Sequence, residues 1–158
     1  MNAVELLKNN HEMVLAMINE LAHDIKEIEQ TEQNTVDCER MNMFGELRDT
    51  LTQHTKLEEQ MLYRELAGSS ETRLLVDESY REHQRIREIL AKMEKLRRDQ
   101  HCDRWDDNLK ELQQNLKHHV AREEDELFPK AMQLLGKDRL ESLYWKMKHL
   151  HAQDSARV

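Results

Sequence analysis

The sequence contains few of the residues that break helices or build turns. Only three Gly and one Pro occur in 158 residues, and aromatic residues make up 4%. A β-sandwich or β-barrel needs many turns, so this composition excludes both. The composition is dominated instead by Leu, Glu, Lys, Arg, Gln and Met, which favour long helices. We therefore expect an all-α protein, and the length predicts a single domain over residues 1–158.

Long apolar runs and cysteine pairs are also missing. The longest apolar run, residues 13–18, is much shorter than the roughly 20 residues that span a bilayer, so we expect no membrane partner. Glu5 and Lys8 stand where a secretory signal would be apolar. Cys38 and Cys102 form no CxxC motif and are too few for a disulfide framework, which predicts a cytoplasmic protein. The net charge of −8 opposes binding to nucleic acid.

Apolar periodicity and helix-capping residues predict four long helices and a short fifth helix. Thr35, Ser70 and Asp103 are the candidate N-caps, and Pro129 is expected to end or bend the fourth helix. The short connections make consecutive helices antiparallel, so we predict an up-down-up-down four-helix bundle over about residues 3–133. The predicted helices span about residues 3–30, 36–67, 71–98, 104–128 and 137–151.

Histidine stands out against this background, with nine copies in the chain. Chance predicts about one His with a Glu four residues later, which places both on one helix face, but three such pairs occur. The pair His23/Glu27 lies off the apolar stripe of its helix and is expected to face solvent. The remaining histidines of interest replace apolar residues in the stripes. These interruptions are His11, His54 with Glu58, His83, and His119 with Glu123.

Helix geometry predicts that these six side chains meet in one layer. His11 and His54 lie about 28 and 27 Å from their shared turn at 1.5 Å per residue, and His83 and His119 are similarly matched. One interpretation is a polar layer in which two Glu bridge partly protonated His. The other is a metal site, because nitrogen and oxygen ligands without thiolate suit first-row metals. Two His per ion and two shared Glu would hold about two ions.

The order His11, HTKLE (54–58), His83, HVARE (119–123) resembles the hemerythrin-like, or HHE cation-binding, family. The stretches EEQMLYREL and EEDELFPKA are also similar to the second and fourth helices of that family, and the resemblance covers about residues 3–133. It implies a four-helix bundle around a non-haem di-iron centre, with two iron ions bridged by an oxo or hydroxo group. In this reading Glu58 and Glu123 bridge the irons, and the four His are terminal ligands.

One position departs from part of the family. Oxygen-carrying hemerythrins have a fifth His four residues after the ligand of the third helix, where this chain has Arg87. The resemblance therefore implies a protein similar to the iron-sensing and nitrosative-stress members, one that reacts with O2, peroxide or nitric oxide. A non-catalytic iron- or oxygen-sensing module and a helical scaffold with an incidental polar layer are the alternatives. Whether the chain is an enzyme stays open.

Residues outside the six carry weaker expectations. Tyr80 precedes His83 by three residues and is a candidate to hydrogen-bond a ligand. Glu59 and Glu124 follow the two bridging Glu and are expected to face water, with contacts to the ligand side chains as the alternative. The last helix has an apolar stripe that either covers the bundle or forms a homodimer contact, which leaves a monomer or a homodimer open. That stripe consists of Leu140, Leu143, Met147 and Leu150, and the histidines expected at the surface are His101, His118, His149 and His151.

Overall fold

A computed structural model describes residues 1–30, 38–98 and 102–156. Helix α1 spans Ala3–Gln30, and α3 spans Arg73–Arg98. The other long helices are built from consecutive segments. Helix α2 consists of Cys38–Leu57, the π-helical turn Glu58–Leu62 and Tyr63–Leu66. Helix α4 consists of Cys102–Arg122, the π-helical turn Glu123–Leu127 and the start of Phe128–Ala156, up to a break at Gly136, after which residues 137–156 form α5.

The described residues confirm the all-α prediction, and the helix starts differ from it in detail. Helix α3 begins at Arg73, two residues later than expected, because residues 70–72 form a turn closed on Ser69. The Ser69 hydroxyl accepts a bond from the Glu71 N–H at 3.3 Å, and its carbonyl oxygen accepts one from the Arg73 N–H at 3.0 Å. Helix α4 begins at Cys102, so Asp103 lies inside it. The predicted cap Thr35 lies outside the described residues.

Two apolar cores lie at opposite ends of the bundle. Each of the helices α1 to α4 contributes to both, and the order of its contributions alternates along the chain, so consecutive helices of the bundle run antiparallel. The first core contains Val14, Ile18, Leu21, Phe44, Leu47, Leu51, Ile86, Ile89, Leu90, Met93, Trp105, Leu109, Leu112 and Leu116. The second core contains Ala3, Val4, Leu7, Leu57, Leu62, Tyr63, Leu66, Val76, Leu127, Phe128, Ala131, Leu140, Leu143 and Met147.

The predicted polar residues lie between these cores. On α1, for example, His11 falls between Leu7 of the second core and Val14 of the first. The same holds on the other three helices, so one polar layer crosses the bundle. Its members are at most 2% exposed.

Pro129 does not end the fourth helix, contrary to expectation. In a regular helix its ring would clash with the carbonyl of residue 125 and remove one hydrogen bond. The wider π turn Glu123–Leu127 ends just before it, with the Phe128 N–H bonded to the Glu123 carbonyl oxygen. The helix therefore continues to Gly136, whose φ of 75° breaks it.

The apolar stripe of α5 is covered by its own chain. Leu140, Leu143 and Met147 are at most 3% exposed and belong to the second core, and Leu150 packs partly against it. This outcome matches the first of the two roles considered for the stripe. None of the described helices combines the length and apolarity needed to cross a membrane.

Candidate metal centre

The polar layer consists of two groups of four side chains that share two members. In each group, one ligand atom from every residue lies within 4.8 Å of the other three. The shared members are the carboxylates of Glu58 and Glu123. The first group adds His11 and His54, and the second adds His83 and His119. The structure thus brings together all six side chains that interrupt the apolar stripes.

The first group joins α1 to the ends of α2 and α4. His54 Nε2 lies 2.8 Å from Glu58 Oε1, one helical turn along the same helix. His11 Nε2 lies 3.5 Å from Glu123 Oε1 and 3.9 Å from Glu58 Oε2. The two imidazole rings meet edge to face, with centroids 4.7 Å apart. Both nitrogens and both carboxylates therefore face one small space, which we call the 11/54 position.

The second group joins α3 to α4 in the same way. His119 Nε2 lies 2.6 Å from Glu123 Oε1, again one turn along a helix. His83 Nε2 lies 3.2 Å from Glu58 Oε1 and 3.1 Å from His119 Nε2, and the ring centroids are 4.7 Å apart. We call this space the 83/119 position. The two positions match in their order along the chain, since in each a single His precedes a His that is followed four residues later by Glu.

Several atoms of the layer have no hydrogen bond among the described residues. Burial of such polar atoms without partners is costly, so native proteins satisfy nearly all of them. His54 Nε2 is an example, because it lies 2.8 Å from Glu58 Oε1 but the two groups are not aligned for a hydrogen bond. A metal ion accepts one lone pair from each ring and from each carboxylate, so the donor set fits a metal site. The atoms are Nδ1 and Nε2 of both His11 and His54, Oε2 of Glu58 and Oε1 of Glu123.

Without an ion, protonated histidines supply the positive charge of the layer. Burial lowers the pKa of His11, but the carboxylates of Glu123 and Glu58 outweigh it and raise that pKa to about 9. The pKa of His119 is also raised well above its usual value, against the effect of burial, chiefly by Glu123. Burial raises the pKa of Glu58, but His54 and its other polar neighbours hold it well below the usual value. Histidine and glutamate thus stabilise each other's charged forms.

The model of one protein family, described as Hemerythrin HHE cation binding domain, matches residues 2–131 of the chain. The chain belongs to this family. Comparisons with curated proteins and with solved structures gave no match. Membership and the two four-residue groups agree that this HHE domain is a metal-binding helical module.

Glutamates next to the layer contact the outer nitrogens of its histidines. His83 Nδ1 lies 3.1 Å from Glu59 Oε2, and His119 Nδ1 lies 2.8 Å from Glu82 Oε1. His11 Nδ1 has Glu124 Oε1 at 3.5 Å. Glu59 and Glu124 were expected to face water; their side chains are only 19% and 32% exposed because they reach back to these rings.

Glu82 is a contact of the layer that was not predicted from the sequence. It immediately precedes His83, and a step of 100° along a regular helix turns its Cβ away from the apolar face. The long side chain nevertheless crosses to α4 and meets His119. Burial raises the pKa of Glu82, but the bonds that His119 and Arg122 make to the carboxylate outweigh this effect and lower the pKa to about 2. The signal that could have found it is the number of acidic residues beside the layer histidines.

The tyrosine at this HHE domain's layer is Tyr63 rather than Tyr80. Tyr63 is fully buried, and its hydroxyl donates to Glu123 Oε2 at 2.8 Å and lies 3.3 Å from His83 Nε2. Tyr80 is 37% exposed, and its hydroxyl lies 3.4 Å from the Glu59 carbonyl oxygen. The sequence spacing from His83 correctly placed Tyr80 near the site, but its ring packs on the outer edge of Tyr63.

The remaining histidines lie away from the layer. His23, His118, His149 and His151 are exposed, as expected. His118 is 3.5 Å from Glu82 Oε2 at the rim of the site. His101 lies outside the described residues.

Proposed function

We propose that this chain is a non-haem di-iron hemerythrin-like protein that reacts with O2, peroxide or nitric oxide. The observation that carries the proposal is the pair of four-residue groups that share Glu58 and Glu123. Each position offers two imidazole nitrogens and two carboxylates, a set that suits iron among the first-row metals. Six-coordinate ions would keep about two coordination sites each for small ligands. A bound iron pair supplies redox chemistry toward such ligands.

In this proposal His11 and His54 would hold one ion, His83 and His119 would hold the other, and both ions would share Glu58 and Glu123. The geometry supports this assignment because every His shares its group with both carboxylates. The donors come from all four helices of the bundle, so ordering of the metal centre and ordering of the bundle are coupled.

Arg87 bears on the kind of reaction. It occupies the position where oxygen-carrying relatives have a fifth imidazole. The Arg87 side chain is 44% exposed, and its guanidinium bonds to Glu59 Oε2 at the rim of the site. It therefore adds no donor to the layer. We infer that a coordination site stays accessible to peroxide or nitric oxide, which favours reaction over simple storage of oxygen.

The surroundings of the layer support reaction with small, uncharged ligands. Apolar cores close it on both sides, and Phe128 stacks on the His11 ring at 5.5 Å with an interplanar angle of 8°. The six side chains of the layer are at most 2% exposed, so bulk water is excluded from it. Tyr63 O–H is a donor directed at Glu123 inside this apolar shell, where it orients the carboxylate.

The test is metal analysis and optical spectroscopy of the purified protein. We expect about two iron atoms per chain and an oxo-to-iron absorption band. Glu123→Ala should abolish the dinuclear centre, whereas Glu126→Ala should leave it intact, because Glu126 is exposed on the same π turn. No iron, or zinc alone, would contradict the proposal.

Turnover separates the reactive protein from the sensing module. We expect the iron-loaded protein to consume added peroxide catalytically, and the Glu123→Ala variant to lose that activity. Stable binding of two irons with no consumption of peroxide or nitric oxide would favour the sensor instead.

A further inference from the structure

We propose that the two metal positions are unequal: the 83/119 position binds its ion first and more tightly, and the 11/54 position holds the exchangeable ion. This inference rests on the proposed dinuclear centre and adds the order in which it fills. The two positions share Glu58 and Glu123, so any difference between them comes from the histidines and what holds those histidines in place.

Both histidines of the 83/119 position are fixed by a hydrogen bond at the outer nitrogen. Glu59 bonds to Nδ1 of His83 at 3.1 Å, and Glu82 bonds to Nδ1 of His119 at 2.8 Å. A carboxylate at this place holds the proton on Nδ1, so Nε2 presents its lone pair to the ion, and it also makes the imidazole a stronger donor. Both rings are therefore oriented before an ion arrives.

An arginine holds each of these carboxylates in turn. Arg87 bonds to Glu59 Oε2. Arg122 bonds to both oxygens of Glu82, at 2.5 and 3.3 Å, and also to the Ser79 hydroxyl at 3.0 Å. Two-point contact of this kind fixes direction as well as distance. The 83/119 position thus has two chains of contact that run from arginine through glutamate to histidine.

The 11/54 position lacks this support. Nδ1 of His11 and Nδ1 of His54 are both buried and make no hydrogen bond among the described residues. The carboxylate that faces His11 Nδ1 is Glu124, and its Oε1 lies 3.5 Å away, farther than the two carboxylates that bond at the 83/119 position. An ion here must therefore orient two rings that the protein leaves less constrained.

The size of the difference follows from what outer partners contribute. Loss of one such partner costs about 10–100-fold in metal affinity, so we expect at least a tenfold preference for the 83/119 position. Repulsion between two cations also makes the second ion bind more weakly, even at equal positions. A difference in affinity between the first and the second ion is therefore no test by itself, and the experiment has to identify which position fills first.

The experiment is an anaerobic titration of the metal-free full chain with Co²⁺, followed by visible absorption and native mass spectrometry. Each single-ligand variant keeps one position complete. His54→Ala should retain the first-step affinity of the wild type within about threefold, and His83→Ala should weaken it at least tenfold. Equal first-step affinities in the two variants would overturn the inequality. If the wild type binds fewer than two Co²⁺, the proposed dinuclear centre itself fails, which is a separate result.

Outer-partner variants test the cause without removal of a ligand. Arg87→Gln and Glu59→Gln should weaken the first step by 10-fold or more, whereas Glu124→Gln should change it by less than threefold. Arg85→Gln is the matched control, because Arg85 forms exposed ion pairs with Glu88 and Glu111 on the same face of the bundle. Circular dichroism checks that each variant is folded. An unchanged first step in folded Arg87→Gln and Glu59→Gln would refute the mechanism.

Discussion

Tyr63 and Phe128 occupy equivalent places in the two halves of the chain. Each follows a shared glutamate by five residues, at the end of a π turn, and each ring packs against a layer histidine: Tyr63 against His83 and Phe128 against His11. Only the first carries a hydroxyl. The pseudo-symmetric centre is therefore polar on one side and apolar on the other.

This asymmetry makes Tyr63→Phe an informative change. The variant leaves Glu123 Oε2 without its donor at 2.8 Å, and a hydrogen bond to a buried charged group contributes about 1.5–3 kcal/mol. We expect the metal-free protein to lose about that much free energy of unfolding in urea denaturation. Tyr80→Phe, at an exposed hydroxyl, should change it by less than about 0.5 kcal/mol. Equal losses in both variants would show that the Tyr63 hydroxyl contributes nothing specific.

His11 gives the metal-free protein a dependence on pH. Its pKa is about 9 in the folded chain, against 6.5 for the ordinary side chain, so its protonation favours the folded state. That contribution is complete below pH 6.5 and is lost as the pH rises through 9. We expect His11→Gln to lower the melting temperature of metal-free protein more at pH 6 than at pH 9.5. His149→Gln, an exposed control, should show no such difference; the same pattern in both would count against the pairing.

At this scale the sequence predicted the layer well and its surroundings poorly. The six residues were found because they interrupt a strict apolar period, which is a local signal. Glu59, Glu82 and Glu124 interrupt nothing, since each stands at a position that faces away from the core. Their contacts depend on long side chains that reach a ring on another helix or turn, and periodicity carries no information about that.

The π turns are the main feature at the scale of the helices. Both begin at a shared glutamate, Glu58 or Glu123. The helix is regular from the histidine up to that glutamate, and the five residues that start with the glutamate form the wider π turn. Each turn contains one residue more than an α turn and brings the following aromatic ring onto the face of the layer. The residue types in these turns also suit a regular helix, so the sequence alone predicted unbroken α-helices.

Deletion of Gln60 tests whether the π turn is an insertion in an otherwise regular helix. An i to i+5 bond becomes an i to i+4 bond when one residue is removed, so the flanking segments of α2 should keep their orientation. We expect the variant to fold, with a cooperative melt, and to bind metal more weakly because Glu58 begins that turn. The measurements are circular dichroism and Co²⁺ titration.

Deletion of Gln84 is the control for this experiment. Gln84 is exposed in the regular helix α3, where a deletion rotates everything beyond it by about 100°. Ile86, Ile89 and Leu90 would then leave the first core, and each such loss costs about 2–5 kcal/mol. This variant should not fold. If both deletions unfold the chain equally, the π turn is not a simple insertion.

For the molecule as a whole, composition, apolar periodicity and capping residues were enough to predict the bundle and a separate last helix from about residue 137. The sequence left open whether α5 covers the bundle, because an apolar stripe can pack against the bundle of its own chain or against a second copy of the chain. The structure places Leu140, Leu143 and Met147 in the second core, which also contains Leu7 beside His11 and Leu57 beside Glu58. We therefore propose that residues 1–158 form a single cooperative domain.

A truncation measures how far α5 belongs to that domain. A chain that ends at Gly136 exposes the surface that Leu140, Leu143 and Met147 cover, and loss of each buried side chain costs about 2–5 kcal/mol. Domains of this size are stable by about 5–15 kcal/mol in total, so we expect the truncated chain to be unfolded or close to it. A chain that ends at His151 should melt like the full chain, because the first residues it removes, Ala152 and Gln153, are exposed.

Metal binding offers a second measurement on the same truncated chain. Any ligand that binds only the folded state stabilises it, by about 2.7 kcal/mol at a concentration 100 times its Kd. Excess Co²⁺ should therefore rescue part of the helical signal of the chain ending at Gly136, because all six side chains of the layer precede that residue. Rescue should be absent when the truncation also carries Glu123→Ala. A truncated chain that melts like the full protein without metal would show that α5 is an accessory helix and that residues before it form the domain alone.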